Sequence, residues 1–424
     1  MKLKNIKRDT KRKNRIAALR LIRNSSFFFL LVQKIREMGI VGEKRNCLVL
    51  FLAGLTKNLD KPVSVIEKGS SSTGKSELLK TVTALFPPEC VLTRSSLSGK
   101  APAHGTDELN GTLLYIPEYR GAKDALYLTR LLQSEGEIAH EYATVIGRDR
   151  GTIIASRKGS PVIMTTTTND RIFQDDETRF LSIQADDSSE QTHNVIAAYF
   201  TPAHVRHEVI ELPVWHEAVR ILCKKIPRFR HPPWFTLLAD AIPSDEPRAR
   251  RDAVRFLSLL KAVALCRSHS DGRFKACSKE IDVNFADYCV AHRILSRAFT
   301  STFAGVHPRA LKLAKGIRTL YRELGRPVSV KELALNLNWD QAVVYKYVKF
   351  AEKQKLVQYE SGSRPFNQKR LVPGLISRSG FLPDPSLIFQ SCKQCGDGVR
   401  YVDPFSGKDK VMCREEEKPS DDTD

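Results

Sequence analysis

The chain has 424 residues, 42% apolar and 27% charged, with 68 Lys and Arg against 48 Asp and Glu, a formal charge of +20. That length leaves room for two to four domains with a sizeable core, and the charge balance calls for a polyanionic partner, most simply nucleic acid. No apolar run reaches the length of a membrane span, and the basic start lacks the apolar run and cleavage site of a signal peptide, so no membrane role is expected.

Residues 1–25 are dense in Lys and Arg, with Asp9 the one acid, and form either a nucleic-acid-binding arm or a solvated helix face. From 26 to 57, Phe28, Leu31, Val32, Ile35 and Met38, then Cys47, Leu48, Leu50, Phe51 and Leu55, recur at helical spacing and predict two helices. A short β-branched run, Val63–Glu67, then leads into Gly69, Ser70, Ser71, Ser72, Thr73, Gly74, Lys75 and Ser76, followed by Glu77 and an apolar-periodic helix. This is the G-x-x-x-x-G-K-[ST] pattern in its strand–loop–helix setting. The two glycines let backbone N–H groups turn onto phosphates at a helix N-terminus. Lys75 can reach the β- and γ-phosphates of ATP, and the Ser76 hydroxyl can ligate Mg²⁺.

Pro87-Pro88 ends that helix, and a second strand starts at Cys90. Thr112–Ile116 reads as a buried strand ending in Pro117-Glu118, expected to neighbour the P-loop strand; Glu118 would hold Mg²⁺ through water, polarise the attacking water, or both. Pro117 stands where such strands often carry a second acid. A helix over 124–133 precedes two β-rich arms around a Gly/Asp turn, a hairpin with Arg148 and Arg150 at its tip. The strand after Gly159 ends in Thr168 and Asn169, donors suited to sensing a γ-phosphate, and Arg179 stands alone before a further β run.

Residues 208–300 turn helical, with Arg248, Arg250 and Arg251 opening one helix and Asn284 capping another. Residues 309–373 read as three helices and a β-hairpin, the second capped by Ser329: a winged helix-turn-helix whose recognition helix would present Gln341, Tyr345 and Lys346 to bases and Lys349 to backbone, with Arg364 and Lys369 on the wing. A structural zinc on Cys392, Cys395 and Cys413 would lack a fourth ligand. Most of the nine cysteines are scattered singly, as reduced core thiols are, which points to a cytoplasmic protein. The acidic end, 415–424, reads as disordered.

The ordered set of P-loop, Glu-terminated strand, arginine-tipped hairpin, Thr/Asn-terminated strand, Arg before a strand and helical lid resembles the AAA+ ATPases over roughly residues 40–300. It is similar to the helicase-like branch that includes the minichromosome maintenance helicases, and to ATPases found beside or fused to DNA primases of bacterial mobile elements. The resemblance implies that Thr168 and Asn169 form sensor 1, that Arg251 is sensor 2, and that Arg179 is a finger acting on a neighbouring subunit's ATP. It also implies that the hairpin over 141–156 touches DNA in the pore of a ring.

The fold expected is therefore an α/β P-loop (AAA+) three-layer core with a helical lid, followed by an all-α, winged helix-turn-helix domain. Its divisions are 1–25, 26–200, 201–305, 306–376 and a cysteine-containing, partly disordered tail over 377–424. The function expected is ATP hydrolysis driving a helicase or replication motor on DNA, with Mg²⁺, a homo-oligomeric (hexameric) ring and a separate primase as partners. The alternative is an ATP-switched DNA-binding regulator or loader that hydrolyses little.

Overall fold

The computed structural model describes residues 2–414 except 147–148, 170–171, 202–211, 245–246, 276–278, 305–307, 354–355, 361–369, 374–380 and 393–394. The chain divides into two units, one of residues 1–295 with 384–424 and one of residues 296–383.

In the first unit the basic N-terminal segment is the helix α1 (Lys2–Ile22), and α2 (Phe27–Glu37) and α3 (Lys44–Leu55) are the two helices expected from the periodicity. Every residue of α3 from Cys47 to Leu55 is buried, so this helix is packed on all sides rather than along one stripe. The strand β1 (Val65–Lys68) enters the P-loop, and α4 (Lys75–Thr83) leaves it. Next come β2 (Val91–Thr93), α5 (Ala101–His104), β3 (Leu113–Ile116) and α6 (Leu126–Glu135). A hairpin of two ten-residue arms follows, β4 (Glu137–Ile146) and β5 (Asp149–Lys158), then β6 (Val162–Thr167), α7 (Gln174–Glu177) and β7 (Leu181–Gln184).

Five strands form one sheet in the order β2-β3-β6-β1-β7, with every neighbouring pair parallel. β1, β3 and β6 are buried along their whole length, as strands covered on both faces must be. Ile66, Leu114, Ile116 and Ile163 pack with Tyr119 and Phe180 on one face. Alternation turns Glu67 to the other face. The expectation that the Glu118 strand neighbours β1 is corrected: β6 lies between them, with Ile116 opposite Thr165 and Thr165 opposite Ile66. A crossover connection can skip a position, and β6 is as fully buried as β1 and β3, so chain order does not dictate spatial order.

The ring of Phe51 lies 6.1 Å from Phe27 and 5.3 Å from Phe86, and Phe27 lies 5.8 Å from Trp215. These aromatics join α2, α3, the end of α4 and the helical region that follows: α8 (Ser189–Tyr199), α9 (Leu212–Lys224), β8 (Arg228–Arg230), α10 (Phe235–Ala241), α11 (Ala249–Ser270), β9 (Glu280–Asp282) and α12 (Phe285–Ala304). Asn284 caps α12 as expected, its Oδ1 accepting from the Asp287 N–H at 2.9 Å.

The second unit holds α13 (Pro308–Leu324), α14 (Val330–Leu337), α15 (Gln341–Lys353) and the antiparallel pair β10 (Val357–Tyr359) and β11 (Leu371–Pro373). Ile317, Leu333, Val344, Val348 and Leu371 are fully buried among them. Ser329 opens α14 with a reciprocal capping box to Glu332. Asn338, in the left-handed region at φ 52°, turns the chain between α14 and α15.

The C-terminal segment returns to the first unit as α16 (Pro385–Ser391), β12 (Gly398–Val402) and β13 (Asp409–Cys413). Buried Asp403 pairs with Arg293 at 2.8 Å, and Arg45 stacks over Phe405 at 5.0 Å. Residues 415–424 lie outside the described residues.

Candidate nucleotide site

Gly74, at φ 80°, is the N-cap of α4, and Ser72 also takes a positive φ of 65°. A side chain on Gly69 would meet the Ala185 Cβ at 3.0 Å. The loop is therefore a backbone turn bound to small residues, with Ser70, Ser71 and Ser72 exposed. Lys75 is buried and lies back across the loop: its ammonium donates to the carbonyls of Gly69 (3.0 Å) and Ser70 (2.5 Å) and to the Thr73 hydroxyl (3.2 Å). Burial lowers the Lys75 pKa, and the nearby Glu67 acts the other way. An ammonium on three neutral oxygens is in position to exchange them for phosphate oxygens, which carry charge.

The sheet register places the other expected residues at the same edge. Lys68 pairs with Thr167, so Thr168 and Asn169 follow at the level of the loop, and both are exposed. Ile116 pairs with Thr165, so Glu118 emerges beside them, exposed, while the Pro117 carbonyl accepts the Thr166 hydroxyl at 2.6 Å. The Tyr115 hydroxyl donates to the Ser76 carbonyl at 3.2 Å and ties β3 to the first turn of α4. Ser76 and Glu118 supply the hard oxygen donors a Mg²⁺ ion takes. Among the described residues no three His, Cys, Asp or Glu form a metal cage, and an ion ligated mainly by phosphates and water needs none.

Arg179 lies at the opposite edge, because it precedes β7, whose first residue Leu181 pairs with Val65. Its Nε is buried without a hydrogen-bond partner. Burial lowers its pKa, and Arg251 and Arg130 lower it further. Arg251 donates to the Thr178 hydroxyl at 2.6 Å, and Arg248 to the Glu177 carbonyl at 3.1 Å and to Asp252 at 3.0 Å. The two residues expected as finger and sensor 2 thus share one arginine cluster.

Sequence reasoning missed three parts of this arrangement. Glu67, one residue in from the end of β1, is 1% exposed, and neither carboxylate oxygen has a hydrogen-bond partner. Arg255, half-buried, donates to the Thr178 carbonyl and to Asp252 at 2.7 Å. Arg130 pairs with Asp176 at 3.2 Å under the rings of Tyr127 and Phe173. An acid inside a β-branched run was the one local signal for Glu67; the others depend on contacts distant in sequence.

Elsewhere, the hairpin extends beyond the expected 141–156, with Ile146 opposite Asp149; Arg148 lies outside the described residues and Arg150 sits opposite Val145. Gln341, Lys346 and Lys349 are exposed on α15, whereas Tyr345 is half-buried against the core of its unit. Arg364 and Lys369 lie outside the described residues. Of the expected zinc set, Cys392 and Cys395 lie sulfur to sulfur, Cys413 is free and exposed, and among the described residues the three form no metal cluster.

A parallel sheet with a glycine-shaped phosphate loop between an interior strand and a helix defines a P-loop nucleotide-binding protein. Residues 13–229 match the model of the family described as the MTBMA_p00010 P-loop domain, and the chain belongs to that family. Among solved structures it is similar to a full-length MCM homolog from Methanopyrus kandleri, at 11% identity and a TM-score of 0.38. That match takes in 66% of this chain and 60% of the other. No curated protein matches the chain by sequence. No described helix is long and apolar enough to cross a membrane.

Proposed function

We propose that the chain is an ATP-hydrolysing motor of the AAA+ type that acts on DNA, as a helicase or replication-associated ATPase. The observation that carries this reading is the shared sheet edge: Lys75 and Ser76, Asn169 and Glu118 come together there from three strands, while Arg179 sits at the far edge. An arginine so placed suits a site completed by the next subunit of a ring, with Lys75, Ser76, Glu118 and Asn169 on one side and Arg179 arriving from the other. Mg²⁺ held by Ser76, with Glu118 behind a water, would neutralise phosphate charge. The C-terminal unit supports a winged helix-turn-helix reading through its three helices, the turn at Asn338 and the β10–β11 ribbon. Gln341, Lys346 and Lys349 would then face DNA, and the long β4–β5 hairpin would carry Arg148 and Arg150 to a strand through phosphate contacts.

One observation favours a second reading. Glu118 is the one acid at the end of β3, because Pro117 occupies the preceding position, so ATP could serve as a slowly turned-over switch for a DNA-binding regulator or loader. Steady-state ATPase with and without single-stranded DNA, measured with solution mass in ATP, separates the two. Turnover stimulated by DNA and abolished by Lys75→Ala supports the motor, and tight ATP binding without stimulated turnover supports the switch. DNA-stimulated turnover that survives Lys75→Ala removes the nucleotide assignment altogether.

A further inference from the structure

A second basic site lies away from the P-loop. Between α1, α9 and the turns after α3 and α4 there is a cavity of about 970 Å³, at the upper end of the size range of small-molecule pockets. Five cationic side chains line it, Lys11, Arg15, Lys57, Arg220 and Lys224, against two acids, Glu89 and Glu217. The acids are engaged by the arginines: Arg15 pairs with Glu217 at 3.3 Å, and Arg220 pairs with Glu89 at 2.7 Å and Glu217 at 3.4 Å. The three lysines are left without a carboxylate among the described residues.

Lys57 is the telling one. It is 7% exposed, and its ammonium donates to the side-chain oxygen of Asn58 at 2.7 Å, a neutral partner. A little-exposed ammonium whose one partner is neutral favours an anion beside it. The end of α3 beside it supplies about half an elementary charge at most, fading within a turn. Two thiols share the cavity, Cys90 and Cys223, but they do not neutralise Lys57. Burial pushes both thiols up, Cys223 to about 11, so they stay protonated.

We propose that this cavity binds a small anion bearing two or more phosphates, with Lys57 at its floor and Lys11 and Lys224 at its mouth. The site adjoins the P-loop helix: His216, on the cavity wall, bonds the Ala84 carbonyl at 2.8 Å at the end of α4, and Glu89 and Cys90 lie just beyond it. An anion held there would be felt at the C-terminal end of the helix whose N-terminus carries Lys75.

The test is pyrophosphate titration by calorimetry on the full chain carrying Lys75→Ala, which removes the P-loop contribution. The expected result is that pyrophosphate still binds, that adding Lys57→Gln weakens it at least tenfold, and that Lys57→Arg leaves it within twofold. Should the Lys57→Gln protein fail to fold, Lys11→Gln and Lys224→Gln, both at exposed positions, are each expected to weaken binding several-fold. The proposal is overturned if the Lys75→Ala protein binds no pyrophosphate, or if the cavity substitutions leave its affinity unchanged. Displacement of the pyrophosphate by a single-stranded oligonucleotide lacking terminal phosphates would overturn it too, since the site would then belong to a nucleic-acid track.

Discussion

Replacing Glu67 by Met should stabilise the first unit, and more so as pH rises. The carboxyl sits beneath the phosphate loop, 1% exposed, with both oxygens unpartnered. Burial, then the negative charge of Glu43, hold its pKa well above the usual carboxylate range, and Lys75 offsets part of this. The neutral acid already leaves polar atoms unsatisfied, at a cost of about 1–3 kcal/mol. The sign of the pH effect follows from linkage. A folded pKa above the unfolded one means that the folded state binds the extra proton. Stability is therefore full below the ordinary carboxylate value and falls as pH rises toward the raised one, by about 1.4 kcal/mol per pH unit. Met has nearly the same shape and no charge to bury, so the advantage of Glu67→Met should widen by that slope. Urea unfolding at pH 4, 5 and 6, which starts below the ordinary carboxylate value of 4.5, followed by Trp215 and Trp234 fluorescence in a Trp339→Phe background, reads this directly. An advantage that is the same at pH 4 and pH 6, or a variant less stable than wild type at pH 6, would refute the reasoning.

Gly54→Ala would place a Cβ 2.3 Å from the Phe86 Cζ, and Phe86 is itself packed against Phe51; a loss of about 1–3 kcal/mol is expected from overpacking, read by thermal unfolding. Asp287→Asn keeps the shape but removes the carboxylate two arginines share, since the fully buried Asp287 pairs with Arg267 and, through both oxygens, with Arg273 at 2.8 and 2.9 Å, leaving Arg273 with Asp271 alone. A cost of about 3–5 kcal/mol is expected in the same assay. Ser329→Ala removes the α14 capping box, and should lower the stability of the second unit by about 1 kcal/mol, read through Trp339 with Trp215 and Trp234 unaffected.

The sequence by itself determined whatever depends on neighbours a few residues apart. The P-loop is such a feature, because Gly69, Gly74, Lys75 and Ser76 act through one turn and one helix start. The caps at Asn284 and Ser329, the helices α2, α3 and α13 to α15, and the hairpin are others, each set by a local hydrogen bond or by apolar period. What only the tertiary structure decided rests on contacts between distant segments. β6 lies between β1 and β3 because parallel strands joined by crossovers carry no local mark of their order. Arg248, Arg251 and Arg255 converge on Glu177 and Thr178 across some 70 residues. Asp403 ties the C-terminal segment to Arg293, 110 residues earlier. Glu67 shows the reason most clearly: its identity is plain in the sequence, but a carboxyl becomes a buried, unpartnered acid only when α3, α4 and the sheet have excluded water from it.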